Sequence, residues 1–224
     1  MANATPAPVM LRLNKAHYPV TTLGYGKRIG VWFQGCSIHC KDCVSMDTWE
    51  PNGGADIAVP ALMDWCKAKA AAGGVDGVTF SGGEPFDQPQ ALNAVLDGLL
   101  RWKKRARLSL DLLCYSGYPL KILQARHAGL LRKLDALIPE LYAEHLPEGG
   151  LWRGSANQPL ITLSPLGAQR YADKDGMAAS KRMQLAVEEG KVWMIGIPGR
   201  EDMARLEALC AARGLDFNQV SWRR

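Results

Sequence analysis

The chain has 224 residues, of which 47% are hydrophobic and 22% are charged, and its formal net charge is +5. This length suits one domain with an appended segment and allows a substantial buried core. No apolar run approaches the roughly 20 residues of a membrane helix, so no membrane span is predicted. The densest basic run, residues 101–105, ends a predicted helix, where cations suit the helix dipole, and it does not favour a nucleic-acid surface.

Residues 1–16 are predicted to form a flexible N-terminal tail. Residues 1–8 are small and proline-rich, without the basic segment and apolar core of a signal peptide. Three of the six cysteines are crowded into one short segment, a pattern that favours metal or redox chemistry in a reducing compartment over disulfides. We therefore expect a cytoplasmic protein. The other three, Cys66, Cys114 and Cys210, lie in apolar sequence and are predicted to be small buried residues.

Strands and helices alternate along residues 17–160, which we predict to be the core domain. Mainly apolar runs predict the strands, while apolar residues at helical spacing predict the helices. The predicted elements are a strand at 28–34, a helix from Val59 to the Gly73-Gly74 stop, a strand at 75–80, a helix capped by Asp87, a strand at 108–114 and a strand at 134–138.

Residues 161–224 differ in character and are predicted to form a C-terminal extension. Residues 183–187 and 192–197 predict a hairpin whose turn contains Gly190. A helix at 200–213 follows, with Gly214 just past its end.

The alternation of strands and helices predicts an α/β fold with a parallel sheet. In such folds ligands bind at the C-terminal ends of the strands. A cysteine-rich loop, residues 81–84 and residues 115–118 each follow a predicted strand. The three motifs are therefore expected at the same edge of the sheet.

The cysteine-rich loop contains Cys36, Cys40 and Cys43. Thiolates at this spacing can converge on one inorganic centre without help from distant parts of the chain. Three ligands suit an iron–sulfur cluster in which one iron keeps an open coordination position. Chemistry takes place at such open positions.

The chain resembles the radical S-adenosylmethionine (SAM) superfamily, and within it the activases of glycyl-radical enzymes, above all those of anaerobic ribonucleotide reductase. The resemblance covers roughly residues 17–160, in the same order as in the family. The matching segments are Val31-Trp32-Phe33-Gln34-Gly35 with Cys36, Cys40 and Cys43, then Asp47-Thr48-Trp49, Ser81-Gly82-Gly83-Glu84-Pro85, and Trp152-Arg153-Gly154-Ser155-Ala156-Asn157-Gln158.

The resemblance implies a partial (β/α) barrel of the radical SAM type, to which the hairpin and helix are added. It implies that Cys36, Cys40 and Cys43 hold a [4Fe-4S] cluster whose remaining iron binds SAM. In the family, the segment that matches residues 81–85 holds the SAM ammonium group, and the position of Ser116 contacts the cofactor. The implied site therefore includes Ser81, Gly82, Gly83, Glu84, Pro85 and Ser116.

The implied reaction is a reductive cleavage of SAM. One electron from the cluster splits SAM into methionine and a 5′-deoxyadenosyl radical, which takes a hydrogen atom from the substrate. An external one-electron reductant of the flavodoxin or ferredoxin type is needed, since the chain has no second cluster motif. The favoured substrate is a glycine of a glycyl-radical enzyme. Because the run at 152–158 is typical of activases, we expect the extension to pack beside the barrel and to leave the strand ends accessible.

Other interpretations of these motifs stay open. The three cysteines could bind zinc, with His39, Cys66 or His17 as a fourth ligand, but a structural zinc site more often uses two separated ligand pairs. A dithiol function for Cys40 and Cys43 leaves Cys36 unexplained. Residues 82–85 could be an ordinary strand-to-helix turn, although glycines there would let a ligand approach the backbone. Residues 116–118 and 152–158 could be plain loops.

Two departures from the family concern the activase function. Asp42 stands where ribonucleotide-reductase activases have glycine after proline, and Pro139-Glu140 replaces their Asp-Gly. Two further functions therefore remain: a radical SAM enzyme that acts directly on a small molecule or peptide, and a non-catalytic metal-binding module.

Overall fold

The computed structural model describes residues 7–172, 183–188, 191–215, 217 and 219–222. Seven strands form one sheet in the order β3-β1-β2-β4-β5-β6-β7, and two further strands form a separate hairpin. The helices and strands are β1 (Met10–Val20), β2 (Arg28–Phe33), β3 (Ala55–Ala58), α1 (Val59–Gly73), β4 (Gly77–Gly82), α2 (Pro89–Arg105), β5 (Asp111–Tyr115), α3 (Leu120–Leu131), β6 (Ala136–Ile138), β7 (Ile161–Thr162), α4 (Pro165–Tyr171), β8 (Met183–Glu188), β9 (Lys191–Gly196) and α5 (Asp202–Ala211).

The centre of the sheet is parallel. Strands β2, β4, β5 and β6 pair in parallel, while β1 and β7 pair antiparallel with the outer members of this group. The sheet is open, with β3 and β7 at its two edges. The predicted α/β partial barrel with a hairpin-plus-helix extension is thus confirmed. None of the described helices combines the length and the apolar character that a membrane crossing needs.

The two faces of the sheet have different partners. On one face, alternate strand residues such as Ile29, Phe80 and Leu112 form the main core together with apolar residues of α1 and α2. The regular periodicity of strands places the intervening residues on the opposite face, which lines the inside of the barrel. Trp32, Ser81 and Tyr115 lie on this inner face near the C-terminal ends of their strands.

The N-terminal part of the chain is more ordered than the sequence predicted. The expected tail over residues 1–16 is corrected from residue 10 onward, because β1 begins at Met10 and Leu11 is completely buried, while residues 1–6 lie outside the described residues. Strand β1 lies between β2 and β3, so it receives hydrogen bonds from both sides. Its pairing partners are distant in sequence, which explains why the local pattern did not reveal it.

A buried ionic cluster lies at the opposite end of the barrel from the cysteine loop. Arg28 and Asp111 begin β2 and β5, and both guanidinium Nη atoms donate to the Asp111 carboxylate, at 2.9 and 2.8 Å. From α4, Tyr171 donates to the same carboxylate at 2.7 Å, and Arg170 does so at 2.5 Å. Helix α4 falls within the predicted extension, yet it packs as part of the barrel.

The described residues of the extension after α4 face the inner side of the barrel. Ile195 of β9 packs with Trp32 in a small apolar cluster and its carbonyl accepts a hydrogen bond from Thr22 at 2.9 Å. The Gln184 side chain donates to the carbonyl of Pro19 at 2.6 Å. The predicted hairpin and final helix are therefore present, while the predicted turn at Gly190 lies outside the described residues.

The end of the extension contacts the cysteine-rich loop directly. The backbone N–H of Met46 donates to the Ser221 carbonyl at 2.8 Å, and the Ser221 hydroxyl donates to the Val44 carbonyl at 2.7 Å. Arg200 donates through its backbone to Glu148 at 2.9 Å. The expectation that the extension packs beside the barrel is therefore corrected, whereas the access of a partner to the strand ends stays a prediction.

Candidate functional site

A cavity of 1610 Å³ lies at the C-terminal ends of the parallel strands. Its lining includes most of the residues that the sequence singled out: Cys36, Cys40, Cys43, Ser81, Gly82, Gly83, Glu84 and Ser116. Pro85 is the exception, because it is buried and absent from the lining. The extension forms another wall, with Trp193, Ile195 and Met203 among its contributions. The structure thus brings the cysteine loop, the glycine loop and the extension around one space.

The cysteine loop is held at its base by backbone hydrogen bonds. Gly35 donates to the carbonyl of Thr48 at 2.7 Å, and Cys36 donates to that of Trp49 at 3.1 Å. Within the loop His39 and Asp42 both have positive φ angles, 51° and 57°, which their residue types tolerate better than most. These conformations turn the backbone sharply enough to keep the three cysteines in one compact loop.

The glycine loop approaches the cysteine loop very closely. Gly83 donates to the Phe33 carbonyl at 2.9 Å, and Glu84 donates to that of Gly35 at 2.8 Å. A Cβ on Gly83 would collide with the Gly35 carbonyl oxygen, and Gly82 has a φ of +99°. The sequence indicated that the glycines here leave space for a ligand. In the structure the backbone at Gly35, which follows β2, occupies the space beside Gly83.

Glu84 joins the ends of β4 and β5. It is 1% exposed, and its carboxylate accepts hydrogen bonds from the backbone of Phe86, the hydroxyl of Ser116 and the backbone of Gly117, at 3.0, 2.9 and 2.7 Å. Burial raises the pKa of Glu84 to about 7, although these donors act in the opposite direction. A buried carboxylate held by these three donors can bind a positively charged group of a ligand while it also connects the ends of β4 and β5.

Asp87 was predicted to cap a helix, and this prediction was wrong. Helix α2 begins at Pro89, and Gln88 occupies the capping position without a side-chain hydrogen bond. The Asp87 carboxylate instead accepts hydrogen bonds from the backbone and hydroxyl of Ser37, at 2.8 and 3.0 Å, and from Tyr118 at 2.7 Å. Sequence reasoning missed this tether, since no local pattern connects residues 37, 87 and 118.

The donor set of the loop suits an iron–sulfur cluster. Cys36, Cys40 and Cys43 are free and partly exposed to the cavity. Burial raises the pKa of Cys36 to about 11 and raises those of Cys40 and Cys43, so a cationic centre is needed to stabilise the thiolate forms. Three soft sulfur donors with open space beside them fit a cluster with one iron free of protein ligands.

Of the alternative zinc ligands, Cys66 and His17 lie away from the cysteine loop, and His39 within it packs on a tryptophan. Cys66 is 1% exposed and packs in the main core, and His17 stacks edge-on against Trp193. His39 stacks on Trp49 with 4.6 Å between ring centroids. Within the part of the chain that the structure describes, no three His, Cys, Asp or Glu side chains are gathered as a single-ion site.

Cys114 is buried as predicted, whereas Cys210 is partly exposed and lines the cavity.

The run at 152–158 supports the loop that follows β6. Trp152 packs against Tyr171 with 5.3 Å between ring centroids. The Gln158 amide donates to the Glu140 carbonyl at 2.8 Å, and Ser155 accepts from the backbone of Ala143 at 3.0 Å. The run is therefore a folded support, with Gly154 and Gln158 reaching the cavity.

Comparisons with known proteins agree with this geometry. Residues 22–161 match the model of a family described as the 4Fe-4S single cluster domain. The anaerobic ribonucleoside-triphosphate reductase-activating protein of Enterobacteria phage T4 is 28% identical over 137 residues, which are 61% of this chain and 85% of that protein. The pyruvate formate-lyase-activating enzyme of Clostridium pasteurianum is 40% identical over 77 residues, which are 33% of this chain and 32% of that enzyme.

Among solved structures, QueE from Escherichia coli aligns with a TM-score of 0.38 and 17% identity, over 48% of this chain and 53% of that one.

The protein belongs to the 4Fe-4S single cluster domain family, since the family model covers more than half of the chain. More particularly, it is an activase-like radical SAM enzyme whose cofactors are a [4Fe-4S] cluster and SAM, as the sequence predicted.

Proposed function

We propose that this protein cleaves SAM reductively and abstracts a hydrogen atom from a glycine of a partner glycyl-radical enzyme, such as an anaerobic ribonucleotide reductase. One observation carries the proposal: the three cysteines and the Gly82-Gly83-Glu84 loop line the same cavity. Similarity to the phage T4 activating protein, which extends over 85% of that protein, supports this choice of target.

Cys36, Cys40 and Cys43 would hold the cluster, while Ser81, Gly82, Gly83, Glu84 and Ser116 would hold SAM. Pro85 would act only indirectly, because it is buried behind the loop. When bound, the cluster and SAM supply a 5′-deoxyadenosyl radical after one electron arrives from an external flavodoxin or ferredoxin.

The chain's own residues would bind the cofactor, orient the cysteine loop and shield the inner face of the barrel. The buried Glu84 carboxylate offers a negative charge at the strand ends, where an ammonium group is stabilised by a nearby anion. The Ser37–Asp87–Tyr118 hydrogen bonds orient the loop that carries the cysteines. Ile195 of the extension packs on Trp32, and apolar contacts of this kind would help to shield a reactive intermediate from water.

The first experiment tests the cofactor site. Anaerobically reconstituted protein should bind about four irons per chain and release 5′-deoxyadenosine from SAM with dithionite. Cys36→Ala, Cys40→Ala and Cys43→Ala should each lose the cluster absorbance. Cys210→Ala is the matched control, because it removes a thiol from the same cavity and should keep the iron. Zinc without iron in anaerobically purified wild-type protein would refute the proposal.

The second experiment tests the target. The protein is captured with its partner under anaerobic conditions, SAM and reductant are added, and electron paramagnetic resonance is recorded. A glycyl-radical doublet on the partner chain, absent with Cys43→Ala, is the expected result. A radical-free partner with continuing 5′-deoxyadenosine release would overturn the choice of target but not the cofactor chemistry.

A second candidate function is direct action on a small molecule or peptide. The observation that favours it is the extension, which contacts the cysteine loop through Ser221 and lines the cavity through Trp193 and Met203. A covered site suits a small substrate. Removal of residues 183–224 distinguishes the two: an activase should keep or gain access for its partner, whereas this candidate should lose substrate turnover.

A further inference from the structure

Lys15 extends from β1 into the cavity between two tryptophans. It pairs with Trp32 across β1 and β2, so both side chains lie on the inner face of the barrel. The Lys15 ammonium is 5.7 Å from the centroid of the Trp32 ring and 5.5 Å from that of Trp193. Trp193 belongs to β9, so the extension completes this arrangement.

The charge of Lys15 is poorly balanced. Its side chain is 18% exposed, and its nearest anion is Asp47, with 3.9 Å between the ammonium and a carboxylate oxygen. In the described residues this ammonium donates no hydrogen bond within 3.5 Å. Burial lowers the pKa of Lys15 in spite of Asp47. A cation held in a cavity on aromatic faces, with spare donors, is suited to bind an anion.

Lys15 lies near the proposed cofactor site and faces the same cavity. Trp32 pairs with Ser81 in the parallel register of β2 and β4. Strand β1 is therefore two strand spacings, or roughly 10 Å, from the strand that leads into the glycine loop. Lys15 thus faces the same cavity as the three cysteines, on the side that the extension covers.

We propose that Lys15, flanked by Trp32 and Trp193, binds a carboxylate of the substrate and so positions the substrate beside the cluster. The proposal rests on the proposed function, since it assumes that a substrate enters this cavity. The carboxylate belongs either to a small organic acid or to an acidic side chain near the reacting glycine of a peptide. The indole faces would hold the cation, while a carboxylate accepts a hydrogen bond from one of the three ammonium donors.

The experiment compares carboxylate and amide probes on the anaerobically reconstituted full chain. Glutarate is compared with glutaramide, and a short glycine-centred peptide containing glutamate is compared with its glutamine counterpart. Binding is followed by tryptophan fluorescence and calorimetry. The variants are Lys15→Met, which removes the charge, and Lys15→Arg, which keeps it. Lys69→Met is the matched control, because Lys69 also lies over a tryptophan, Trp65, at 5.6 Å, but on α1 outside the cavity lining.

Wild-type protein should bind one carboxylate probe about tenfold more tightly than its amide partner. Lys15→Met should remove that preference, while Lys15→Arg and Lys69→Met should retain it. If glutarate binds more tightly than glutaramide, the carboxylate belongs to a small acid. If the glutamate peptide binds more tightly than the glutamine peptide, the carboxylate belongs to a peptide. An equal affinity for carboxylate and amide probes in both pairs overturns the proposal, as does a preference that survives in Lys15→Met.

A parallel measurement excludes the cofactor as the source of the carboxylate. SAM affinity and 5′-deoxyadenosine release without substrate should be the same in Lys15→Met and wild type. A loss of SAM affinity in this variant as large as the loss for the probes would overturn the assignment to substrate. If wild-type protein releases no 5′-deoxyadenosine, the proposed function fails, and the probe measurement still decides the carboxylate site.

Discussion

The carboxylate of Asp87 accepts two hydrogen bonds from Ser37, one from its backbone at 2.8 Å and one from its hydroxyl at 3.0 Å. Ser37 follows the first cysteine of the loop, whereas Asp87 lies just beyond the glycine loop. One side chain therefore connects the two loops that form the proposed cluster and SAM sites. Tyr118 adds a third hydrogen bond to the same carboxylate, at 2.7 Å.

We predict that Asp87→Ala weakens iron binding without removing a ligand. Loss of a residue that orients a metal-binding loop typically lowers metal affinity about 10-fold to 100-fold. The measurement is the rate of iron loss to a chelator under anaerobic conditions. Asp64→Ala, which removes an exposed carboxylate on α1, is the control and should behave as wild type. Equal rates for Asp87→Ala and wild type would mean that the tether does not position the loop.

Gly83→Ala should destabilise both the fold and the cluster loop. The added Cβ would collide with the Gly35 carbonyl, and both backbones are held by hydrogen bonds. Overpacking of this kind costs about 1–3 kcal/mol. Urea unfolding and iron content measure the two effects. Gly129→Ala is the control, because its Cβ would meet only Arg132, at 3.8 Å, and it should not lower stability. A stable Gly83→Ala protein with full iron content would contradict the close approach.

Glu84 should make the unliganded protein less stable as pH rises. Its pKa is raised from 4.5 to about 7 in the folded state, so the folded protein retains a proton that the unfolded chain releases. The free energy of unfolding should then fall between pH 4.5 and about 7, by roughly 3 kcal/mol, and level off above. Urea unfolding of wild type and Glu84→Gln across this range isolates the contribution. A difference between them that does not change with pH would show that the Glu84 pKa is ordinary.

Asp111→Ala should be strongly destabilising, because it leaves Arg28 as a completely buried charge without its carboxylate. Removal of one partner of a buried ion pair costs about 3–5 kcal/mol. The double variant Arg28→Met with Asp111→Leu should recover only part of this loss, since it removes the unpaired Arg28 charge but still leaves Arg170 without its carboxylate. Urea unfolding provides both values. If Asp111→Ala alone costs under about 1 kcal/mol, the pair does not stabilise the barrel.

Much of the site could be predicted because its signals are local. Three cysteines within eight residues and Gly82-Gly83-Glu84-Pro85 directly after an apolar run identify the chemistry and the strand ends. Periodicity likewise predicted β2, α1 and the C-terminal hairpin. The exact beginning of β4 was placed too early, at 75 instead of Gly77, because the apolar run extends beyond the paired residues.

Other parts of the structure had no local signal. Strands β1 and β3 pair with segments far away in the chain, and their sequences do not show a clear apolar alternation. The glycines were interpreted as room for a ligand, but the space is also needed by the Gly35 backbone. A glycine in the sequence indicates that no side chain fits there, but it does not indicate which group lies against it. Only the packed structure shows that this group is the Gly35 backbone.

The sequence by itself predicted a metal–thiolate site from three cysteines in one loop, and its resemblance to radical SAM proteins implied that the centre is a [4Fe-4S] cluster with SAM. The tertiary structure alone decided how that centre is surrounded. It connected Ser37 to Asp87, brought Trp193 over Lys15, and placed Ser221 against the cysteine loop. These contacts depend on the register of the sheet and on the packing of the extension, which arise from the summed burial of many apolar residues and not from any short motif.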